Sequence, residues 1–132
     1  MVEYQRKDRY DINDLRDIMS ILRSPQGCPW DREQIHKSIR NDFIEEVYEA
    51  IEAIDLEDTE LLKEELGDVL LQIIFHCRIE EEKSCFDFDD ICDELCKKLI
   101  IRHPHVFGDI TVSDSGEVLK NWDSIKKETK GQ

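Results

Sequence analysis

The sequence predicts an all-α fold: a helical bundle with two long central antiparallel helices and shorter helices flanking them. Three observations predict it. Apolar residues recur at three- and four-residue spacing through 11–23, 34–56, 60–82 and 87–103. No segment alternates with the period of two that a half-buried strand requires. Only the short polar stretch 55–59 separates the two longest periodic segments, which makes them antiparallel neighbours.

Taken in order, Ile12, Leu15, Ile18, Met19 and Leu22 mark one face of a first helix, which Pro25 and Gly27 stop. Gly27-Cys28-Pro29-Trp30-Asp31 is a turn into a second helical start. Asp31 is its expected N-cap, Gln34 the capping-box partner, and Trp30 with Ile35 a hydrophobic staple. Ile35, Ile39, Phe43, Val47, Ala50, Ile51 and Ile54 define the helix over 34–56, with Glu45, Glu46, Glu49 and Glu52 on the adjoining arc. The helix over 60–82 is apolar nearly all round from Leu61 to Cys77, the mark of a buried helix.

Phe86-Asp87 opens a fourth helix, with Asp87 or Asp89 as N-cap and Ile91, Cys92, Leu95, Cys96, Leu99 and Ile100 along its face. It should stop near His103, because a proline at 104 disfavours helix in the residue before it. A loop over 103–116 leads to a last amphipathic helix that starts near Ser113 or Ser115 and carries Val118, Trp122 and Ile125. Gly131-Gln132 reads as a frayed end.

At 132 residues the expectation is one domain over 1–132, with its core at about 11–128, large enough to bury a core without staples. The net charge of −14 disfavours a nucleic-acid polymer as partner, since that needs many lysines and arginines on phosphates. Five cysteines, an odd number, and an N-terminus with no apolar signal region point to a reducing, cytoplasmic setting. No stretch reaches the roughly 18 apolar residues of a membrane span.

The acids carry the chemistry. Glutamates on an exposed helix are ordinary, but Glu65 and Asp68 interrupt the apolar run Leu66, Val69, Leu70, Leu71, Ile73, Ile74, Phe75. A carboxylate in such surroundings needs a partner. Glu45, Glu46, Glu49 and Glu52 lie on the neighbouring helix. Pairs at i,i+3 and i,i+4 share a face and repel by roughly 0.2–0.5 kcal/mol each if exposed and unpaired. A hard divalent cation such as Mg²⁺ between the two clusters turns that repulsion into coordination and bridges phosphate oxygens. An acid left over can orient an attacking water.

Glu45-Glu46-x-x-Glu49 followed by Glu65-x-x-Asp68 resembles the signature of the MazG-type nucleoside triphosphate pyrophosphohydrolases. The resemblance extends through Gly27-Cys28-Pro29-Trp30-Asp31, Phe86-Asp87-Phe88, Arg102-His103-Pro104-His105-Val106-Phe107-Gly108 and Trp122-Asp123-Ser124-Ile125-Lys126. It covers roughly residues 12 to 128. It implies a single all-α domain that hydrolyses nucleoside triphosphates between the α- and β-phosphates, giving the monophosphate and pyrophosphate. It further implies Mg²⁺, with Mn²⁺ as a substitute, held by Glu46, Glu49, Glu65 and Asp68. Glu45 and Glu46 would be the catalytic acids, with Glu45 an outer-shell or water-orienting one. Lys98 and Arg102 would grip the triphosphate, and Trp122 and Lys126 would contact base and phosphate. The family assembles as dimers or higher oligomers, so a homodimer or homotetramer is expected, with a task in clearing surplus or aberrant nucleotides and an effect on alarmone pools. Asp42 and Leu61 depart from the basic residues that some members carry at those places.

Three other readings compete. A di-iron carboxylate bundle needs Glu-x-x-His from two helices, and only Glu33-x-x-His36 fits. A zinc site from Cys92, Cys96, His103 and His105 competes with buried cysteines that act as small hydrophobes. A non-catalytic nucleotide- or protein-binding module on the same fold would not need Glu46, Glu49, Glu65 and Asp68 intact.

Overall fold

The computed structural model describes residues 1–109 and 111–129; the expectation for Gly131 and Gln132 lies outside them. The described residues are all-helical, with no strand. The chain falls into two compact units, Met1–Phe88 and Asp89–Gln132.

In the first unit, α1 spans Ile12–Leu22. Its start is fixed by a reciprocal capping box: the Asp11 side chain accepts from the Asn13 and Asp14 amides, and Asp14 accepts from the Asp11 amide. Asp14 is buried but pairs with Lys7, which offsets its desolvation. After α1 the backbone doubles back so closely that a Cβ on Gly27 would stand 2.1 Å from the Ile21 carbonyl oxygen.

The segment 29–39 departs from expectation. α2 covers only Pro29–Glu33, with Pro29 in its first turn and Cys28 rather than Asp31 at the N-cap position. The chain then leaves helix until α3 begins at Arg40. Local hydrogen bonds explain the break. The Ser38 hydroxyl accepts from the Ile35 amide and donates to the Ile35 carbonyl, which favours a turn over a helix. Ile39 is buried beneath this turn, while Trp30 and Ile35, the expected staple, are both more than half exposed. Trp30 instead sets its ring edge-on to Phe75, with centroids 6.4 Å apart. Arg23 locks the arrangement. Its guanidinium donates to the Asp31 and Gln34 carbonyls and, in a bidentate pair, to Glu82.

α3 (Arg40–Asp55) and α4 (Thr59–Glu82) form the central antiparallel hairpin, with Asp58 capping α4 through the Leu61 amide. α1 packs on α4. Met19, Ile39, Ile74, Phe75 and Ile79 make the buried core, with Ile12, Leu15, Leu70 and Phe88 packed against it. Ala50 and Ala53 are the buried positions of α3. The buried helix expected over all of 60–82 is only half realised. Burial runs from Gln72 to Ile79, whereas Leu66 is 52% exposed and the α3 residues Ile44, Val47, Tyr48, Ile51 and Ile54 also face out. α1 covers the C-terminal half of α4, whereas among the described residues the outer apolar face of α3 stays exposed.

In the second unit, α5 (Phe88–Arg102) ends where Pro104 requires. Pro104 then starts a one-turn helix, α6 (Pro104–Phe107), inside the expected loop. α7 spans Ser115–Thr129. Asp114 accepts from the Glu117 amide, and Glu117 reaches back to the Ser113 amide and hydroxyl. On α5, Ile91 and Cys92 are half-buried, but Leu95, Cys96, Leu99 and Ile100 are exposed, so Cys96 is not a core hydrophobe in this chain. None of the five cysteines is in a disulfide. No helix among the described residues is long and apolar enough to cross a membrane.

Replacing Gly27 by alanine forces backbone to move, because the nearest atoms are main-chain carbonyls. We expect a loss of about 2 kcal/mol or more, read as a lowered thermal midpoint. An unchanged midpoint would show that the close return after α1 is not a constraint.

Candidate metal centre

α3 and α4 each carry an acidic pair at i,i+3, which puts both acids of a pair on one face of its helix. The antiparallel hairpin then brings the pairs together. One carboxylate oxygen from each of Glu46, Glu49, Glu65 and Asp68 lies within 4.8 Å of the other three. Among the described residues no other group of His, Cys, Asp or Glu has a metal-compatible arrangement, and that includes the cysteines and histidines of the second unit. None of the ion pairs of the described residues brings a cation to these four carboxylates. Glu46 Oε2 and Glu65 Oε2 are buried with no hydrogen-bond partner.

The electrostatics follow. Glu65 is pushed up to about 7, first by burial, then by a hydrogen bond with Glu49 and by the negative charges of Glu49, Asp68 and Glu46. Glu46 is raised by burial first and then by Glu49 and Asp68. Acids crowded in this way shed charge by taking up protons or by taking up a cation. Two orphaned oxygens and an all-oxygen donor set on two helices fit a hard divalent ion of the Mg²⁺ or Mn²⁺ kind, and do not favour a soft, thiolate-seeking metal.

The other residues singled out from the sequence are placed as follows. Glu45 is exposed on α3 and stands outside the four-oxygen group. In the second unit, Lys98 and Arg102 are one turn apart on α5. Lys98 pairs with Glu94 at 3.4 Å, and Arg102 Nε is buried without a partner. On α7, Lys126 Nζ sits 4.2 Å over the Trp122 ring, and His103 tilts against the same ring at 5.9 Å. Trp122 Nε1 is buried and unpaired.

One cluster was not foreseen. His36, from the turn before α3, places Nδ1 2.6 Å from His76 Nδ1 and Nε2 2.6 Å from Glu80 Oε1. Phe43 of α3 packs its ring 5.5 Å from His76. The sequence signal was present: Asp68, Gln72, His76 and Glu80 recur every four residues on α4. His36 alone gave no hint of its partner, forty residues away.

Comparison with known proteins gives the family. The family model of the MazG nucleotide pyrophosphohydrolase domain matches residues 34–107. The chain is 50% identical over 121 residues to a Thermotoga maritima protein named nucleoside triphosphate pyrophosphohydrolase/pyrophosphatase MazG. It is 46% identical over 122 residues to an Escherichia coli K12 nucleoside triphosphate pyrophosphohydrolase, and 48% identical over 121 residues to the uncharacterized protein YabN of Bacillus subtilis. Each match takes in 92% of this chain; it spans 46% of the first two relatives and 25% of the third. The crystal structure of a mazG-related protein from Thermotoga maritima superposes with a TM-score of 0.71 at 25% identity, covering 88% of this chain and 99% of that one.

The raised Glu65 sets a pH dependence whose sign can be worked out. Its folded value of about 7 lies above the ordinary 4.5, so the folded protein holds more protons than the unfolded chain between those values. That contribution is fully present below pH 4.5 and is lost as pH rises through about 7. The thermal midpoint of the metal-free protein should therefore fall from pH 5 to 8 more steeply than that of Glu65→Gln. Divalent-ion binding should tighten over the same range with proton release. Identical slopes in the two proteins would contradict the crowding of these acids.

Proposed function

This chain belongs to the MazG nucleotide pyrophosphohydrolase domain family, and from that premise we propose that it hydrolyses nucleoside triphosphates to nucleoside monophosphate and pyrophosphate with Mg²⁺. The observation that carries the reading is the convergence of Glu46, Glu49, Glu65 and Asp68 with no cation among them. Relatives named for this activity, of which the chain spans about half, support the substrate class.

In this reading the four carboxylates hold Mg²⁺ (or Mn²⁺). Bound there, the ion would supply positive charge against the polyphosphate oxygens. Glu46 and Glu49 on one helix and Glu65 and Asp68 on the other give the site rigid walls, so little reorganisation accompanies reaction. Glu45, exposed one residue before Glu46, is assigned to orienting the attacking water, and Glu46 shares that face of the chemistry. In the second unit Lys98 and Arg102 are assigned to phosphate oxygens, Trp122 to the base and Lys126 to phosphate. The planar Arg102 fork suits a phosphate better than a lysine would. Clearing surplus or aberrant nucleotides in the cytoplasm is the task that suits such a reaction.

The same reading includes self-association. Arg40, Phe43, Ile44, Val47, Tyr48 and Ile51 line an apolar groove of about 290 Å³ on α3, and the large side chains beside it are exposed. A stripe of this kind suits the same face of a second copy, giving a homodimer or a homotetramer. Ile51→Glu should shift the mass measured by light scattering to that of a monomer; an unchanged mass would remove α3 from the interface.

The catalytic assignment is tested by substitution. Glu46→Gln and Asp68→Asn should each lower pyrophosphate release by about 10²-fold or more while leaving helicity intact, and EDTA should abolish release from the unaltered protein. Near-normal turnover in both variants would refute the site. Nucleotide binding without pyrophosphate release at any Mg²⁺ concentration would make the chain a binding module instead.

A further inference from the structure

Beyond the acidic group, α4 carries a second polar line. Asp68, Gln72, His76 and Glu80 share one stripe of the helix, each about 6 Å further along its axis. His36 docks on the far end of that stripe. The planes of the His36 and His76 rings differ by only 10°, their centroids are 4.9 Å apart and their Nδ1 atoms 2.6 Å apart. At so short an N···N distance, that centroid separation puts the imidazoles edge to edge in nearly one plane, not face to face. The contact is an in-line N–H···N hydrogen bond.

The proton positions then follow from chemistry. Glu80 as a carboxylate only accepts, so His36 Nε2 carries a hydrogen. In the neutral pair His36 Nδ1 is a lone pair, His76 Nδ1 is the donor, and His76 Nε2 is left as a bare acceptor. Burial, and then the neighbouring His36, hold His76 toward its neutral form. Lys83 Nζ, 3.8 Å from the same Glu80 oxygen, and the Cys85 thiol at that carboxylate complete the surroundings.

His76 Nε2 is buried with no partner. So is Oε1 of Gln72, one turn nearer Asp68, in a residue only 8% exposed. Two buried acceptors left unpaired are costly, and native proteins carry few of them. Phe43, against His76, stands one turn before Glu46 on α3, so the two acceptors lie on the hairpin beside the acidic group. We propose that Gln72 Oε1 and His76 Nε2 form a subsite that accepts hydrogen bonds from the amino edge of the substrate's nucleobase, with His36 and Glu80 as positioning residues that hold His76 in its acceptor tautomer. The inference rests on the nucleoside triphosphate reading: phosphates at the acidic group direct the nucleoside along the hairpin. An amino group donates to both acceptors as they stand, whereas a keto oxygen in the same place faces the His76 lone pair and is met only when the Gln72 amide turns over.

Pyrophosphate release from CTP against UTP, and from ATP against ITP, tests it. The unaltered protein should favour the amino member of each pair by about tenfold in kcat/KM, and Gln72→Met should shrink that ratio to about twofold, chiefly through KM. In ¹⁵N-detected spectra His76 should show the Nδ1–H tautomer, and its Nε2 resonance should move when α,β-methylene CTP and Mg²⁺ are added. His36→Phe should mix the two tautomers, an effect that loss of packing alone does not produce. Equal use of both members of each pair by an active protein, an undiminished ratio in Gln72→Met, or an unmoved Nε2 resonance would each overturn the subsite. No release from any of the four nucleotides would instead overturn the proposed activity, and the spectra of the unaltered protein would still decide the subsite. The same spectra decide it if Gln72→Met does not fold.

Discussion

Mutual repulsion among four carboxylates is the constraint on which the rest of the first unit depends. Glu46, Glu49, Glu65 and Asp68 bring oxygens within 4.8 Å of one another, and no lysine or arginine of the described chain offsets them. Such a group persists only where stronger contacts hold its two helices in place. They come from the other half of α4, where Ile74, Phe75 and Ile79 pack with Met19 and Ile39. Burial there contributes roughly 1.5–3 kcal/mol for each large apolar side chain. α4 is thus divided: its C-terminal half stabilises the fold, and its N-terminal half spends part of that stability on a charged site.

That division links packing to function. Arg23, tied to Glu82, to the Asp31 carbonyl of α2 and to the Gln34 carbonyl just after it, fixes the chain that leads into α3. His36 pins the same segment to α4 from the other side. The register of α3 against α4 is therefore set at both ends of the 29–39 segment before the acidic pairs meet. The net charge of −14 gains a meaning here as well: such a protein meets a polyphosphate comfortably only through a bound cation or through local cations such as those of α5 and α7.

Helix positions were legible because periodicity reports burial, and the bounds of α1, α4 and α5 fall within a residue or two of those expected. The acidic group was legible because a carboxylate inside an apolar run is anomalous wherever the run ends up. The break at 34–39 was not, since Ile35 and Ile39 keep helical spacing while Ser38 and His36 pull the backbone out of it. The exposure of Leu66, Val47 and Ile51 was illegible for a different reason: periodicity marks a face as apolar without saying whether its cover comes from the same chain. The Glu80–His36–His76 relay depends on a contact across forty residues, which spacing along one helix cannot show.

Anomalous diffraction from crystals soaked in Mn²⁺ addresses the four-carboxylate centre most directly. A peak enclosed by oxygens of Glu46, Glu49, Glu65 and Asp68, and lost in Glu65→Gln, is the result this account predicts. Well-ordered carboxylates with no peak between them at millimolar Mn²⁺ would contradict it.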